Sequence, residues 1–325
     1  MQGLATVFGG SGFVGRHVVR ALARSGHRVR IAVRRPALAY SLPLLGAVGQ
    51  IEIVQANLRD ADSIARALDG AQSCFNCVGI LYQSGRQTFE SVHVEGAGRV
   101  AEGAQAEGVT RLVHVSAIGA ASDSASAYAR TKAAGEAAVR AAYPAAILIR
   151  PSVVFGPEDD FFNRFAALAT QAPVMPLIGG GRTRFQPVYV GDVAQAAASA
   201  LDRAGGQTYE LGGPTVYSFE ALMRLTLGVI DRKKPLLSIS FGAARFLGGF
   251  GDILARTGLI APPLTTDQVE LLRADNVVAA DALGLADLGV AATAVEAIVP
   301  TYLYRFRRGG QYAEGVLAGL PSGVI

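Results

Sequence analysis

Three side chains in the first half of the chain have the types and spacing that carbonyl chemistry needs. Tyr128 and Lys132 lie four residues apart in YARTKAAGEAAVRAA, an alanine-rich stretch whose helical period puts both on one face. Ser116 ends the apolar run RLVHVS that precedes it. A phenol can donate a proton, an adjacent ammonium can lower the phenol's pKa and hold a ribose, and a hydroxyl can position a carbonyl oxygen. The lysine is the informative member. Of 30 basic residues only positions 132, 233 and 234 are lysine, so Lys132 is the sole lysine of the first 232 residues. The plainer alternative is a surface tyrosine and lysine one turn apart. A cofactor-contacting role is the expectation, and turnover is a separate question.

Carbonyl reduction also needs a hydride carrier, and the N-terminal segment has the pattern that holds one. The run LATVF (4–8) leads into Gly9-Gly10-Ser11-Gly12-Phe13-Val14-Gly15 and then into the amphipathic stretch FVGRHVVRALARSG. In a strand-to-helix turn Gly9 can make the tight bend, Gly12 lets backbone approach a pyrophosphate, and Gly15 allows close packing of helix on strand. The helix N-terminus then faces the phosphates. The second apolar run ends in Val33-Arg34-Arg35-Pro36, where NAD-binding chains place an acid for the ribose hydroxyls. Arginine there favours a 2′-phosphate. Arg34 is the better candidate for a bidentate clamp and Arg35 the assistant, with two solvated loop arginines as the alternative. The third run ends at Asn57-Leu58, where an adenine edge would be read, and the fourth at Val78-Gly79, beside the nicotinamide-side ribose. NADPH is the expected cofactor.

The elements that must position these residues are legible as a repeat of short apolar runs. LATVF (4–8), RVRIAV (28–33), IEIVQA (51–56), SCFNCV (73–78), RLVHVS (111–116) and AAILIR (145–150) are separated by stretches long enough for crossover connections. Their apolarity is continuous rather than alternating, which predicts strands covered on both faces. The fold class expected is therefore α/β, a doubly wound parallel sheet, with a smaller and mostly helical C-terminal part over the sheet's carboxyl edge. Helical patterns fall at 160–171, 192–204, 218–231, 241–256, 265–275 and 292–306, with one further strand-like run, QTYEL, at 207–211. Residues 1–155 are expected to form the dinucleotide-binding domain. Residues 156–325 would add a strand and helices to the core and a region for substrate or partner.

Composition excludes several classes. With 325 residues, half of them apolar, the chain can bury a large core without a disulfide or a metal, and no metal site is expected. The net charge is +4, but the basic residues are scattered and not interleaved with aromatics, so nucleic acid is not an expected partner. Cys74 and Cys77 form a C-x-x-C, yet three residues apart on a strand they face opposite ways, and two buried thiols suit a reducing compartment. No secretory signal and no apolar run of spanning length is visible.

The motifs GGSGFVG, YARTKAAGE, IRPSVVFGPEDDFFNRFA and FQPVYVGDVA resemble those of extended or atypical short-chain dehydrogenases/reductases, which carry a Rossmann fold. The stretch 149–165, QPVYVGDVA (186–194), TTDQVELLRADNVV (265–278) and the LADLGV that ends at Val290 extend the likeness. Together they are similar to the NADPH-binding accessory subunits of respiratory complex I and their bacterial relatives, over nearly the whole chain. The resemblance implies NADPH held by Gly9, Ser11, Gly12, Phe13, Val14, Gly15 and Arg34. Val78, Ser116, Tyr128, Lys132, Pro151 and Val154 would lie around the nicotinamide half. It also implies holding without turnover, in a protein that is cytoplasmic and peripheral to the inner membrane. Aspartate is common at the position of Asn57 in such chains, a departure that weakens one hydrogen-bond assignment there.

One segment is left over. Arg232-Lys233-Lys234-Pro235 precedes a long apolar stretch, and at 100° per residue Arg245, Asp252 and Arg256 cluster while Leu247, Phe250, Ile253 and Leu254 lie opposite. The region 232–264 is the expected contact with complex I subunits or a membrane surface, unless the helix is a lid burying its apolar side on its own domain. Two functions follow: a structural or assembly subunit that holds NADPH, or an active NADPH-dependent reductase or epimerase on a quinone-, isoprenoid- or sugar-type substrate.

Overall fold

The computed structural model describes residues 2–257, 262 and 264–312. Strands and helices alternate through the first half: β1 (Gln2–Phe8), α1 (Phe13–Arg24), β2 (His27–Val33), β3 (Ile51–Gln55), α2 (Ala61–Leu68), β4 (Ser73–Asn76), α3 (Glu95–Ala106), β5 (Arg111–Val115), α4 (Ala127–Ala142) and β6 (Ile147–Pro151). The second half adds β7 (Val154–Phe155), α5 (Phe162–Gln171), β8 (Met175–Ile178), β9 (Arg184–Phe185), β10 (Val188–Tyr189), α6 (Val190–Ser199), β11 (Thr208–Leu211), β12 (Tyr217–Ser218), α7 (Phe219–Val229) and β13 (Leu236–Ile239). After these come α8 (Phe241–Thr257), α9 (Thr266–Leu271), α10 (Val295–Ile298) and α11 (Pro300–Leu303).

Seven parallel strands form the main sheet in the order β3-β2-β1-β4-β5-β6-β11. The strand order reverses between β1 and β4, so a crevice opens at the carboxyl ends of those two strands, where such sheets take ligands. Helices cover both faces, which is why the strands read as continuous apolar runs. On one face Val18, Val19 and Leu22 of α1 and Val193 and Ala197 of α6 pack on the sheet. On the other, Ile64 and Leu68 of α2, Val100 of α3 and Val139 of α4 do so. Cys74 belongs to the second cluster while Cys77 packs against the first, and both thiols are free. Burial pushes both up, Cys77 to about 12, so neither offers a thiolate.

The second half is less purely helical than its periodicity predicts. Three two-stranded sheets, β7 with β10, β9 with β12 and β8 with β13, join segments of this half to one another. Strands of two to four residues are too short to carry a period, and distant partners fix them. The stretch 292–306 divides at Pro300, which cannot donate the backbone hydrogen bond that a continuous helix needs there. An aromatic cluster, with Phe155, Phe162 and Phe219 buried, forms this part's own core. No described helix is long and apolar enough to cross a membrane.

Candidate functional site

At the end of β1 the chain turns at Gly9, whose φ of 74° lies in the left-handed region. The amide of Gly12 donates to the Gly9 carbonyl at 2.9 Å and closes the turn. A Cβ on Gly15 would run into that same carbonyl oxygen, and one on Gly10 would come within 2.8 Å of Ile31 Cγ2. Only glycine therefore lets α1 start this close to β1. Gly12 is the extended N-cap of α1 and supplies no side-chain cap, which leaves the first amides of the helix for another acceptor. The Ser11 carbonyl accepts from Arg16 Nη2 at 3.0 Å. Phe13 stands edge-on to His17, and a Cβ on Gly156 would meet its ring at 3.4 Å. Val14 packs against the core beneath.

A pocket opens beyond this turn, lined by Arg34, Asn57, Leu58, Val78 and Gly79 together with Arg59, Ile80, Arg86, Gln87, Ser91 and Val92. Three guanidinium groups and no acidic residue are in that lining, a strongly cationic wall beside apolar Leu58, Val78 and Ile80. Arg35 is exposed and is not among the lining residues. Asn57 spends its side-chain oxygen on the Arg59 amide at 3.2 Å, while its own amide donates to Ser63 Oγ at 3.0 Å. It shapes the turn that delivers Arg59. Arg59 Nη1 in turn donates to the Arg86 carbonyl at 3.5 Å.

Ser116 and Lys132 lie together at the carboxyl end of β5, and Tyr128, four residues before Lys132 on α4, packs against His93 and Phe89. Ser116 follows β5, is 4 % exposed, and its Oγ is buried without a hydrogen-bond partner. Such an orphaned hydroxyl is costly unless a ligand completes it. Lys132 on α4 donates from Nζ to the Val115 carbonyl at 3.1 Å, one residue before Ser116. A Cβ on Gly79 would lie 3.9 Å from that Nζ, so the end of β4 faces it. Burial, partly offset by Glu136 and Cys77, holds the Lys132 amine down at about 8. Burial and then the Asp267 carboxylate push the Tyr128 phenol up to about 12, away from ready proton transfer at neutral pH. Pro151 is buried at the end of β6, where its carbonyl accepts from the Ile118 amide, and Val154 opens β7.

Two neighbours of this cluster carried no sequence signal. His93 sits in a short π-helical turn at 90–94, stacked on Phe89 at 5.3 Å and edge-on to Tyr128 at 5.3 Å. Its Nε2 accepts from the Ile80 amide at 3.2 Å, so Nδ1 carries the proton toward Thr131 Oγ1. Burial first and the Lys132 charge second lower it to about 3, and it stays neutral. Asp267 of α9 caps the N-terminus of α4 from 139 to 141 residues away. Its Oδ1 accepts from the Ala127 amide at 2.6 Å, and its Oδ2 from Ser126 Oγ at 2.8 Å and the Tyr128 amide at 3.1 Å. Ser126 Oγ accepts in turn from the Ala129 amide. The second half of the chain thereby holds the start of the helix that carries Tyr128 and Lys132.

The glycine turn, the uncapped helix start, the cationic pocket and the orphaned Ser116 hydroxyl suit a dinucleotide of the NAD(P) type. Among the described residues no group of three or more His, Cys, Asp or Glu side chains is placed to hold a metal ion. The chain belongs to the NAD dependent epimerase/dehydratase family, whose profile matches residues 5–212. Its likeness to two curated proteins runs further, to nearly full length. It is 34% identical over 329 residues to NADH dehydrogenase [ubiquinone] 1 alpha subcomplex subunit 9, mitochondrial, of Arabidopsis thaliana, covering 98% of this chain and 82% of that protein. The protein of the same name from Rattus norvegicus is 36% identical over 297 residues, 90% of this chain and 78% of its own. Among solved structures, the dTDP-glucose 4,6-dehydratase DesIV of Streptomyces venezuelae with NAD and TYD bound has a TM-score of 0.67. At 20% identity over 95% of this chain and 98% of that one, it shares the fold.

Proposed function

We propose that the chain holds NADPH as a structural element and serves as a subunit or assembly partner of respiratory complex I, cytoplasmic and peripheral to the inner membrane. The observation that carries the NADPH reading is the pocket wall of Arg34, Arg59 and Arg86 with no acid among its lining. A ribose bearing a 2′-phosphate brings two negative charges to such a wall, whereas the plain ribose of NAD prefers a carboxylate. In this reading residues 1–155 form the holding domain. Its Gly9, Gly10, Ser11, Gly12, Phe13, Val14 and Gly15 receive the pyrophosphate, and Asn57, Leu58, Val78 and Gly79 flank the adenosine and ribose halves. Ser116, Tyr128, Lys132, Pro151 and Val154 enclose the nicotinamide end, while residues 156–325 face the partner through 232–264. Holding without turnover is supported by Tyr128, whose phenol burial first and the Asp267 charge second hold up at about 12, and by Lys132, whose amine is engaged by the Val115 carbonyl. The curated relatives named above, both complex I subunits by name, support the partner.

Ser116 and Lys132 at the end of β5, with Tyr128 on the same helix as Lys132, support a second reading, an NADPH-dependent reductase or epimerase on a quinone-, isoprenoid- or sugar-type substrate. Bound nicotinamide would supply the hydride. Ser116 would hold a carbonyl oxygen and Tyr128 would deliver the proton. Purification from membranes of the native host in mild detergent, with identification of co-migrating proteins and assay of the extracted nucleotide, separates the two. Complex I subunits with stoichiometric NADPH sustain the first reading; recovery alone, with NADPH consumed on adding carbonyl substrates, sustains the second. The cofactor assignment has its own test. Arg34→Asp should weaken NADPH about 10–100-fold, the worth of a lost charge-assisted contact, and change NADH by less than about threefold. Equal loss of both in a fluorescence titration removes the 2′-phosphate assignment.

A further inference from the structure

Helix α8 is mounted with its large side chains outward. The side it turns to the protein is made of Ala244, Gly248, Gly251 and Ala255, all buried. These follow one another at spacings of four, three and four, a single helix face. The two glycines fix this orientation. A Cβ on Gly248 would lie 2.8 Å from the Thr266 amide nitrogen, and one on Gly251 would run into the Leu264 carbonyl oxygen. Asp252 then anchors the helix by accepting from Thr266 Oγ1 at 2.5 Å and from the Thr266 amide at 3.3 Å. No rotation that buried the large residues would keep these contacts. Phe246, Leu247, Phe250 and Ile253 are left 71%, 53%, 62% and 64% exposed, the two phenylalanine rings edge-on at 5.4 Å. Leu237 of β13, just before the helix, is 54% exposed as well. A contiguous apolar face of this kind on a folded protein marks an interaction site.

Charge identifies the occupant. The stretch 231–252 carries Arg232, Lys233, Lys234 and Arg245 against Asp231 and Asp252; Arg232 and Lys234 donate to the Phe306 and Ala172 carbonyls, and Lys233 stands exposed. Beside the helix, Arg245 and Arg273 share the single carboxylate of Glu270, at 2.9 and 2.8 Å, so that group of three is net positive. The one acidic residue of α8, Asp252, accepts from Thr266. Phenylalanine and aliphatic side chains on one face of α8, with Arg245 on the same helix and an exposed Lys233 just before β13, suit a helix that lies in a bilayer interface. Its 17 residues span only about 25 Å, too short and too divided to cross one.

We propose that α8 seats in the surface of an anionic lipid bilayer, with Phe246, Leu247, Phe250 and Ile253 entering the acyl boundary and Arg245 and Lys233 meeting headgroup phosphates. This deepens the membrane-peripheral part of the reading above and rests on that part alone, because it needs neither complex I nor turnover.

The full-length protein is sedimented with vesicles of phosphatidylcholine alone and of phosphatidylcholine with about one third phosphatidylglycerol, over a range of salt. Binding to the anionic vesicles that weakens with salt, and that falls by about tenfold or more in a Phe246→Ser/Phe250→Ser double variant, is the expected result. Lys233→Glu should reduce the preference for the anionic vesicles. NADPH titration and thermal melting of each variant should match the parent, which separates a failure of this inference from a failure of the cofactor reading. Three outcomes overturn the proposal: no sedimentation with anionic vesicles, unchanged sedimentation of the double variant, or a parent dimer that the double variant converts to monomer. The last would make a second copy of the chain the occupant.

Discussion

Helices α1 and α8 use glycine in the same way and hide opposite kinds of residue. In α1, Gly15 lets the helix start against the Gly9 carbonyl, and Val18, Val19 and Leu22 behind it are wholly buried on the sheet. In α8, Gly248 and Gly251 let the helix lie against residues 264–266, but what goes inside is alanine and glycine, and the phenylalanines go out. The first helix is accounted for by the molecule's own core. The second is not, because burying its small side costs little water-exposed apolar surface while leaving its large side in solvent. Close approach and hydrophobic burial are therefore separable roles, and where they part company the surface is addressed to something else.

Mutations can break that contrast. Gly15→Val should abolish dinucleotide binding in a fluorescence titration, since the new side chain meets the Gly9 carbonyl, whereas Gly251→Val should shift α8 and leave nucleotide affinity within about twofold. Loss of nucleotide in both would mean that the two regions are one mechanical unit. Next in size, Leu22→Ala should cost about 2–5 kcal/mol in denaturant unfolding, against less than about 0.5 kcal/mol for Leu247→Ala on the exposed side of α8. Comparable losses would show that α8 is covered in solution.

Asp267 links α9, which packs on α8, to the start of α4, and its removal tests how tightly the two halves of the chain are joined. Asp267→Ala leaves two amides and a hydroxyl at the start of α4 without their acceptor, and should cost about 1–2 kcal/mol, with Asp267→Asn recovering part. A separate test is pH dependence, in which the first part of the chain stands out because all four histidines precede residue 115. Burial first and the Lys132 charge second hold His114 at about 3. Unfolded, it takes a proton near 6.5, so below that pH the unfolded state binds more protons and stability falls until about pH 3. Melting temperature should drop from pH 7 to 4, and His114→Phe should make that slope shallower. An identical slope would assign the acid sensitivity to His93, which burial and the Lys132 charge also hold at about 3, or to carboxylates.

Much of this was legible in the residues. All six apolar runs became β1 to β6 within two residues, QTYEL became β11, and the stretch 241–256 became α8, because strands buried on both faces and helices of three turns or more leave a long signal. Ser116, Tyr128 and Lys132 were readable as a group because strand end and helix period placed them. His93, Arg86 and Asp267 were not, since each acts across a contact that no local period records; Asp267 lies in a capping box, Thr265 to Gln268, that marks its own helix and says nothing of α4. The two faces of α8 were visible in its periodicity, with Leu247, Phe250 and Ile253 together. Which face the protein would keep was not, because that depends on the backbone at 264–266. Arg256, grouped with the polar side, has a side chain outside the described residues.

The rarity of lysine makes the molecule easy to interrogate chemically. Near pH 8 about half of the Lys132 amines are unprotonated, and an occupied cleft would shield them, while Lys233 stands exposed at the start of the segment that leads into α8. A single amine-acylating reagent, read by peptide mass, thus distinguishes Lys132 at the nucleotide cleft from the adjacent pair Lys233 and Lys234 before β13. The ratio of the two labels would follow both ends of the protein at once, with no probe introduced.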